Sequence, residues 1–138
     1  MNKKITATAA FLGMVAIILG AFGAHALKKV LTPEQLISFE TGVRYQMYQA
    51  FFLFFLASQN DILEKTKKTI FTLITLGTLF FSGSIYLLST TEITGVNFKP
   101  IGFITPIGGL LLIIAWGMLG YSILKSIHLE YFCEKRYG

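Results

Sequence analysis

The side chains capable of chemistry are few in this sequence, and most of them fall between residues 25 and 49. The chain is 54% hydrophobic, and an ionisable group beside a long apolar run is a functional candidate because burying a charge in lipid is costly. A glutamine in such a run likewise needs a hydrogen-bond partner. The candidate polar cluster therefore comprises His25, Glu40, Arg44, Tyr45, Gln46, Tyr48 and Gln49.

Glu40 and Arg44 have the spacing of a helical ion pair. They are four residues apart with the acid first, which is the favourable order on a helix. One interpretation is an exposed pair that adds only a few tenths of a kcal/mol. The other is a partly buried pair, joined by His25, that ties its helix to a neighbouring helix or to a lipid headgroup.

The tyrosines and glutamines recur at helical spacing. Tyr45, Tyr48 and Gln49 share a face, and tyrosines near a membrane boundary are typical of the aromatic belt. Gln46 and Gln49 lie inside an apolar run and need partners, for which the third run offers Ser82, Ser84 and Tyr86. Hydrogen bonds of this kind account for stability and specificity without catalysis.

No catalytic or metal-binding motif accompanies these residues. The sequence contains no GxSxG, HExxH, P-loop or dinucleotide-binding pattern. His128 and Cys133 are expected on the membrane face opposite His25, so neither a metal nor a haem site is predicted and no cofactor is expected. Because Cys133 is the single cysteine, an intramolecular disulfide is excluded.

Four apolar runs must position the cluster. Ile5–Leu27, Thr69–Thr91 and Pro100–Leu124 carry no formal charge and are each at least 23 residues long, whereas about 20 apolar helical residues cross a bilayer. Tyr45–Asn60 has only 16 residues but can be lengthened by the segment before it. The runs predict an all-α integral membrane protein with four transmembrane helices in a compact bundle, forming a single domain over residues 1–138.

The first helix is expected over residues 5–27. Small residues that let helix backbones approach closely form a stripe along it: Ala9, Gly13, Ala16, Gly20 and Ala24. Packing within the chain is the favoured interpretation of this stripe, and oligomerisation is the alternative. The start of the chain imitates a signal peptide, but the length of the run favours an uncleaved helix.

The second helix is expected over residues 33–57 and has a well-marked start. Thr32 suits the N-cap, Pro33 the first helical position, and Gln35 completes a capping box. Its first half is amphipathic, which predicts a lead-in at the membrane surface. A break near Thr41-Gly42 is the alternative.

The third and fourth helices are expected at about residues 69–89 and 106–127. Thr105-Pro106 repeats the Thr-Pro start of the second helix. Residues 128–138 are expected to form a cytoplasmic tail, for which the sequence indicates no function.

The distribution of Lys and Arg predicts the orientation. With four crossings, one side holds both termini and eight of these residues: Lys3, Lys4, Lys65, Lys67, Lys68, Lys125, Lys135 and Arg136. The other side holds four: Lys28, Lys29, Arg44 and Lys99. The positive-inside rule then places both termini in the cytoplasm of a multi-pass protein of the cell (inner) membrane.

Four motifs resemble a known family. They are Gly20-Ala21-Phe22-Gly23-Ala24-His25-Ala26-Leu27, Tyr45-Gln46-Met47-Tyr48, Gly83-Ser84-Ile85-Tyr86-Leu87 and Ile104-Thr105-Pro106-Ile107-Gly108-Gly109. Together they resemble the family labelled domain of unknown function 423, small bacterial inner-membrane proteins related to the eukaryotic transmembrane protein 256. The resemblance covers roughly residues 5–125.

The resemblance implies a four-helix membrane protein with no established biochemical activity. Members often carry a histidine directly after the Tyr-Gln-Met-Tyr stretch, where this chain has Gln49. That departure favours a hydrogen-bonding role for the position over a ligand or proton-carrying role.

The absence of a catalytic constellation favours a non-enzymatic protein, either a packing unit or an accessory subunit of a larger membrane complex. The expected partners are membrane lipids, with a homo-oligomer or a larger complex as possibilities and no nucleic acid. One alternative is a small transporter or channel with His25, Glu40 and Arg44 at its mouth. A further alternative is a membrane enzyme acting on lipid or quinone through Glu40 and His25.

Overall fold

The protein is helical almost throughout, as shown by a computed structural model that describes residues 1–137. A 3₁₀ turn at Leu27–Lys29 follows the first helix, a π-helical segment at Leu79–Gly83 separates the third and fourth, and a second 3₁₀ turn at Lys99–Ile101 precedes the last. The α-helices are α1 (Asn2–His25), α2 (Pro33–Ser58), α3 (Glu64–Thr78), α4 (Ser84–Ser89), α5 (Thr91–Thr94) and α6 (Ile104–Tyr137).

Three helical stretches within residues 1–137 are long and apolar enough to cross a membrane: Asn2–Lys29, Glu64–Ser89 and Lys99–Arg136. The expected all-helical fold with long apolar helices is confirmed. α2 has 26 residues, a length of about 39 Å at 1.5 Å per residue, but its first half is less apolar because it carries Glu34, Glu40 and Arg44.

The predicted start of α2 is confirmed in atomic detail. The Thr32 hydroxyl accepts a hydrogen bond from the backbone N–H of Gln35 at 3.3 Å. The Gln35 side chain in turn accepts one from the backbone N–H of Thr32 at 3.0 Å, which completes the capping box. Pro33 occupies the first turn. The helix then runs unbroken through Thr41 and Gly42, so the alternative of a break there is wrong.

The small residues of α1 pack against α2. A Cβ added at Gly13 would lie 3.7 Å from Ala50, and one added at Gly20 would lie 3.5 Å from Val43. Among the contacting pairs, the residue numbers rise along α1 as they fall along α2. The two helices are therefore antiparallel and in contact along their length. The stripe therefore faces the same chain, as favoured from the sequence, except that Ala24 at its end is exposed.

The π-helical segment joins α3 and α4 into one rod over residues 64–89. The rod begins five residues before the expected residue 69, because the charges that end the apolar run do not end the helix. Glu64 in the first turn interacts favourably with the positive helix N-terminus. The π-helical segment lies where α6 comes closest, since a Cβ at Gly108 would collide with the backbone of Phe80 and Phe81.

α6 differs from expectation at both ends. It begins at Ile104, so Thr105 lies inside the first turn rather than at the N-cap, and the first turn tolerates Pro106 because its N–H would lack an intrahelical acceptor. At the other end, the helix continues through residues 128–137 of the expected tail. No glycine or proline interrupts residues 121–137, so nothing in the sequence stops the helix at residue 127.

Two buried clusters hold the helices together. The larger joins α1, α2, α3 and α6 and includes Ile5, Leu53, Leu56, Ile70, Ile74 and Ala115, all fully buried. The smaller lies where α1 meets the start of α2 and contains Leu27, Leu31 and Phe39. The candidate polar residues of α2 lie between these two clusters along the helix.

Candidate functional site

Gln46 is the centre of a hydrogen-bond network that joins three helices. Its side chain is 4% exposed, and its amide nitrogen donates to the backbone carbonyl of Leu12 in α1 at 2.8 Å. Its amide oxygen accepts a hydrogen bond from the Tyr86 hydroxyl of α4 at 2.8 Å. Of the partners expected from the sequence, Tyr86 is therefore confirmed for Gln46.

The expected partner Ser82 bonds to the backbone of α2 instead. Its hydroxyl donates to the carbonyl of Gly42 at 2.8 Å. The helices approach closely here, because a Cβ at Gly42 would lie 2.8 Å from a ring carbon of Tyr86 and 3.1 Å from a methyl carbon of Ile85. Gly42 thus serves close packing and not a helix break. These contacts and the Gln46 network make up the α1–α2–α4 interface.

Ser84 also differs from expectation, because its partner is on α6. Its hydroxyl shares a hydrogen bond with that of Thr105 in the first turn of α6. The hydroxyl of Ser84 also donates to the carbonyl of Phe81 at 3.0 Å. Neither Gln46 nor Gln49 is therefore bound by Ser82 or Ser84.

Gln49 finds its partner in Trp116, a pairing that the sequence gave no reason to expect. Gln49 is 3% exposed, and its amide oxygen accepts a hydrogen bond from the indole N–H of Trp116 at 3.2 Å. An indole nitrogen can only donate, so this bond fixes which end of the amide faces Trp116. The indole also packs against Phe52, with ring centroids 4.7 Å apart.

An apolar groove opens between α2 and α6 beside this pair. Its volume is about 650 Å³. No carboxylate or imidazole lines it, so it offers aromatic surface and a few polar atoms but no general acid or base. The groove is lined by Tyr45, Tyr48, Gln49, Phe51, Phe52 and Phe55 of α2 and by Trp116, Leu119, Gly120 and Ile123 of α6. We refer to it as the α2–α6 groove.

Tyr45 and Tyr48 stand at one end of the α2–α6 groove. Both are partly exposed, at 41% and 48%, and their rings meet edge to face with centroids 5.6 Å apart. Tyr45 also packs on Phe81 of the π-helical segment at 5.0 Å. The structure thus brings four of the candidate residues together on α2: Gln46 and Gln49 are buried, and Gln49 lines the groove together with the two tyrosines.

His25, Glu40 and Arg44 do not join them. All three are exposed, and within residues 1–137 none of their side chains forms a hydrogen bond or an ion pair. The predicted pairing of Glu40 with Arg44 is therefore not formed, and His25 does not tie them to α1. A metal site is equally unsupported by geometry, since the described residues contain no group of three or more His, Cys, Asp or Glu side chains that could hold an ion.

Lys67 is a residue whose environment the sequence did not reveal. It precedes the expected third helix at residues 69–89, yet it is 1% exposed and its ammonium donates to the side-chain oxygen of Asn2 at 3.0 Å. Ile5 and Ile70, both fully buried, lie close to this pair in the sequence. The contact ties the start of α1 to the start of α3.

Long apolar helices with polar side chains turned toward one another define a multi-pass helical membrane protein. The comparisons with known proteins agree. The family model described as "Protein of unknown function (DUF423)" matches residues 19–109, a range that contains all four motifs noted in the sequence. The chain belongs to this family, and the resemblance is confirmed.

Relatives come from several bacteria. The chain is 39% identical to the UPF0382 membrane protein YwdK of Bacillus subtilis over 116 residues, which is 83% of this chain and 90% of that protein. It is 35% identical to a UPF0382 membrane protein of Haemophilus influenzae over 91% of this chain and 98% of that protein. The UPF0382 inner membrane protein YgdD of Escherichia coli is 29% identical over 80% and 82%. No solved structure matches.

Proposed function

We propose that the protein is a non-enzymatic accessory subunit of an inner-membrane complex, built as a four-span packing unit. The observation that carries the proposal is the use of the buried polar groups of the α1–α2–α4 interface. Gln46 and Ser82 are both engaged in bonds between helices. Side chains committed in this way stabilise the bundle, and they are not available to carry a substrate or a proton.

The fourth span in this proposal is α2. Its contacts with Gly13 and Gly20 keep it alongside α1, and α1 lies in a stretch that is apolar enough to cross a membrane. Because α2 lies beside α1 from Gly13 to Gly20, the two helices occupy the same depth in the membrane. Arg44, exposed near the outer part of α2, reaches the interface by extending its long side chain, as arginines near helix ends do.

Both termini are proposed to be cytoplasmic. Labelling with a membrane-impermeant maleimide in intact spheroplasts tests this, using the native Cys133 and, separately, Val30→Cys, Asn60→Cys and Asn97→Cys in a Cys133→Ser background. All four positions are exposed. We expect labelling at residues 30 and 97, and none at residue 60 or Cys133 until the membrane is permeabilised. Residues 30 and 60 flank α2, so equal labelling of these two would contradict its crossing and with it the four-span arrangement.

The accessory role is tested by purification in several mild detergents, followed by identification of co-eluting proteins. We expect a reproducible protein partner, lost in a variant with leucine replaced by glutamine on the exposed face of α6, such as Leu124→Gln, and retained in the matched α1 variant Ile17→Gln. Both leucine and isoleucine are exposed, at 68% and 65%. Elution without a partner in every detergent would remove the subunit role.

The transporter and enzyme alternatives are both tested with the purified protein reconstituted into liposomes. The transporter alternative relies on His25, Glu40 and Arg44, and the enzyme alternative on Glu40 and His25. Within residues 1–137 these side chains form no hydrogen bond or ion pair with one another. Solute flux that rises on reconstitution and falls in Arg44→Ala or His25→Ala would favour a transporter. Turnover of a lipid or quinone that is lost in Glu40→Gln would favour an enzyme. We expect neither.

A further inference from the structure

We propose that the α2–α6 groove is a binding site for a lipophilic quinone, a flat carbonyl-bearing ring with an apolar tail. The proposal assigns the groove one occupant, and it depends on one hydrogen-bond donor, on the aromatic rings around that donor and on the depth of the donor in the hydrocarbon core of the membrane. It takes that depth from the proposed crossing of α2 beside α1, and in this respect it rests on the proposed function.

The donor is the amide nitrogen of Gln49. Its amide oxygen is held by Trp116, and within the described residues the nitrogen has no hydrogen-bond partner, although the residue is only 3% exposed. Gln49 lines the groove. An amide donor without an acceptor is costly in apolar surroundings, so a ligand of this groove gains from presenting an acceptor oxygen to it.

The surroundings of that donor favour a flat ring. Phe52 and Trp116 form an aromatic wall beside Gln49, and Tyr48 stands at the same end of the groove. Aromatic rings interact well with another planar ring in offset or edge-to-face packing. On the other side Gly120 leaves open space, with nothing within 4 Å of an added Cβ. Toward Phe55 and Ile123 the groove is apolar, as a hydrocarbon tail requires.

The depth of Gln49 argues against a phospholipid carbonyl as the acceptor. Ala50 faces Gly13, which is eight residues after Ile5 and fourteen before Leu27, or about 12 Å and 21 Å along the helix. The donor is therefore about 5 Å from the middle of the apolar run. Ester carbonyls lie at the edge of the hydrocarbon core, about 15 Å from its centre, whereas a quinone ring is not fixed at that edge.

Trp116 is the single tryptophan of the chain, and it makes the site observable. The purified wild-type protein in phosphatidylethanolamine and phosphatidylglycerol vesicles is titrated with decylubiquinone while indole fluorescence is recorded. We expect quenching that saturates at one quinone per chain. A linear increase without saturation would mean collisions in the bilayer and would overturn the proposal.

Two variants and one control separate the site from the bilayer. Gln49→Leu removes the donor, and Gly120→Leu fills the groove without touching the donor. Each should weaken the apparent affinity about tenfold, the effect of losing about 1.4 kcal/mol. Gly117→Leu, on the same helix and equally free of neighbours, lies outside the groove lining and should leave the affinity unchanged. Equal affinity in Gly120→Leu and wild type would overturn the proposal.

The competing occupants give distinct results in the same preparation. Saturable quenching by phosphatidylglycerol with brominated acyl chains that decylubiquinone fails to displace would assign the groove to an acyl chain and overturn the proposal. Crosslinking between two copies of Gly120→Cys in a Cys133→Ser background, unaffected by quinone, would assign it to a second copy and likewise overturn it. The labelling at residues 30 and 60, which tests the crossing of α2, is independent of these measurements, so a failed topology and a failed quinone site are told apart.

Discussion

The α1–α2–α4 interface and the α2–α6 groove use the same helix in opposite ways. On one face of α2, Gln46 has both ends of its amide bonded to neighbouring helices, and Gly42 leaves room for the side chains of Tyr86 and Ile85. On another face, three residues further on, Gln49 has only its oxygen bonded. The small residue that lines the groove there is Gly120 of α6, and a Cβ added to it would have nothing within 4 Å.

The difference teaches how to separate structural from recognition roles among identical residue types. Gln46 and Gln49 are the same residue type in one apolar run, and a glycine lies beside each of them. What distinguishes them is whether neighbouring residues satisfy the hydrogen bonds of the amide and fill the space beside the glycine. An amide with both ends hydrogen-bonded stabilises the bundle. An amide whose nitrogen is unbonded and faces open volume can still bind a ligand.

The largest effect is expected from adding volume to the two glycines. Gly42→Val should lower the free energy of unfolding by about 3 kcal/mol, the upper end for overpacking, because the new side chain meets the Tyr86 ring. Gly120→Val should change it by less than about 0.5 kcal/mol, as for a surface position. Denaturation by dodecyl sulfate in mixed micelles, followed by helicity, measures both. Similar losses for the two variants would erase the contrast between the regions.

A smaller effect is expected from removing the two amides. Gln46→Leu breaks two interhelical hydrogen bonds and should cost about 1–2 kcal/mol, whereas Gln49→Leu breaks one and should cost about 0.6 kcal/mol, given the mean value for such bonds in membranes. The same unfolding measurement applies, with Gln59→Leu beyond the end of α2 as a control. A greater loss for Gln49 than for Gln46 would reverse the assignment of roles.

The smallest effect is expected outside both regions, at Glu40 and Arg44. Because their side chains form no ion pair, the double-mutant cycle of Glu40→Gln and Arg44→Gln should give a coupling energy within about 0.3 kcal/mol of zero. Unfolding of the wild type, both single variants and the double variant supplies the four values. A coupling near 1 kcal/mol would restore the ion pair predicted from the sequence.

Features that depend on neighbouring residues in the chain were predictable. Thr32, Pro33 and Gln35 specify the start of α2 through local geometry alone, and the structure has that start. The stripe of small residues on α1 indicated close packing because its spacing is a property of one helix. These signals are complete within a few turns, so no knowledge of the tertiary arrangement was needed.

Helix ends governed by charge were less predictable. The runs without charge measure how much of a helix tolerates lipid, not where hydrogen bonding stops. α3 therefore begins at Glu64, before its apolar run, and α6 continues to Tyr137, past its own. For the same reason Lys67 falls outside the third helix expected from the sequence, although it lies in α3 and is buried against Asn2.

Contacts between residues distant in the chain were predictable only where the sequence offered few candidate partners. Tyr86 was one of three candidates for the glutamines and is the one that binds Gln46. The pairing of Gln49 with Trp116 spans 67 positions, and it depends on the rotation of α6 about its axis. Neither residue type nor spacing specifies that rotation, so the α2–α6 groove could not have been derived from the sequence.

The π-helical segment at Leu79–Gly83 gives the rod of residues 64–89 two rotational phases. A wide turn accommodates one residue more than a regular helical turn, and each residue of an α-helix advances by about 100°. Residues after Gly83 are therefore offset around the axis from where an uninterrupted helix would place them. α3 can thus present Gly77 to α6 while α4 presents Tyr86 to α2. One continuous helical stretch thus serves two neighbours in different directions, without a loop between its two parts.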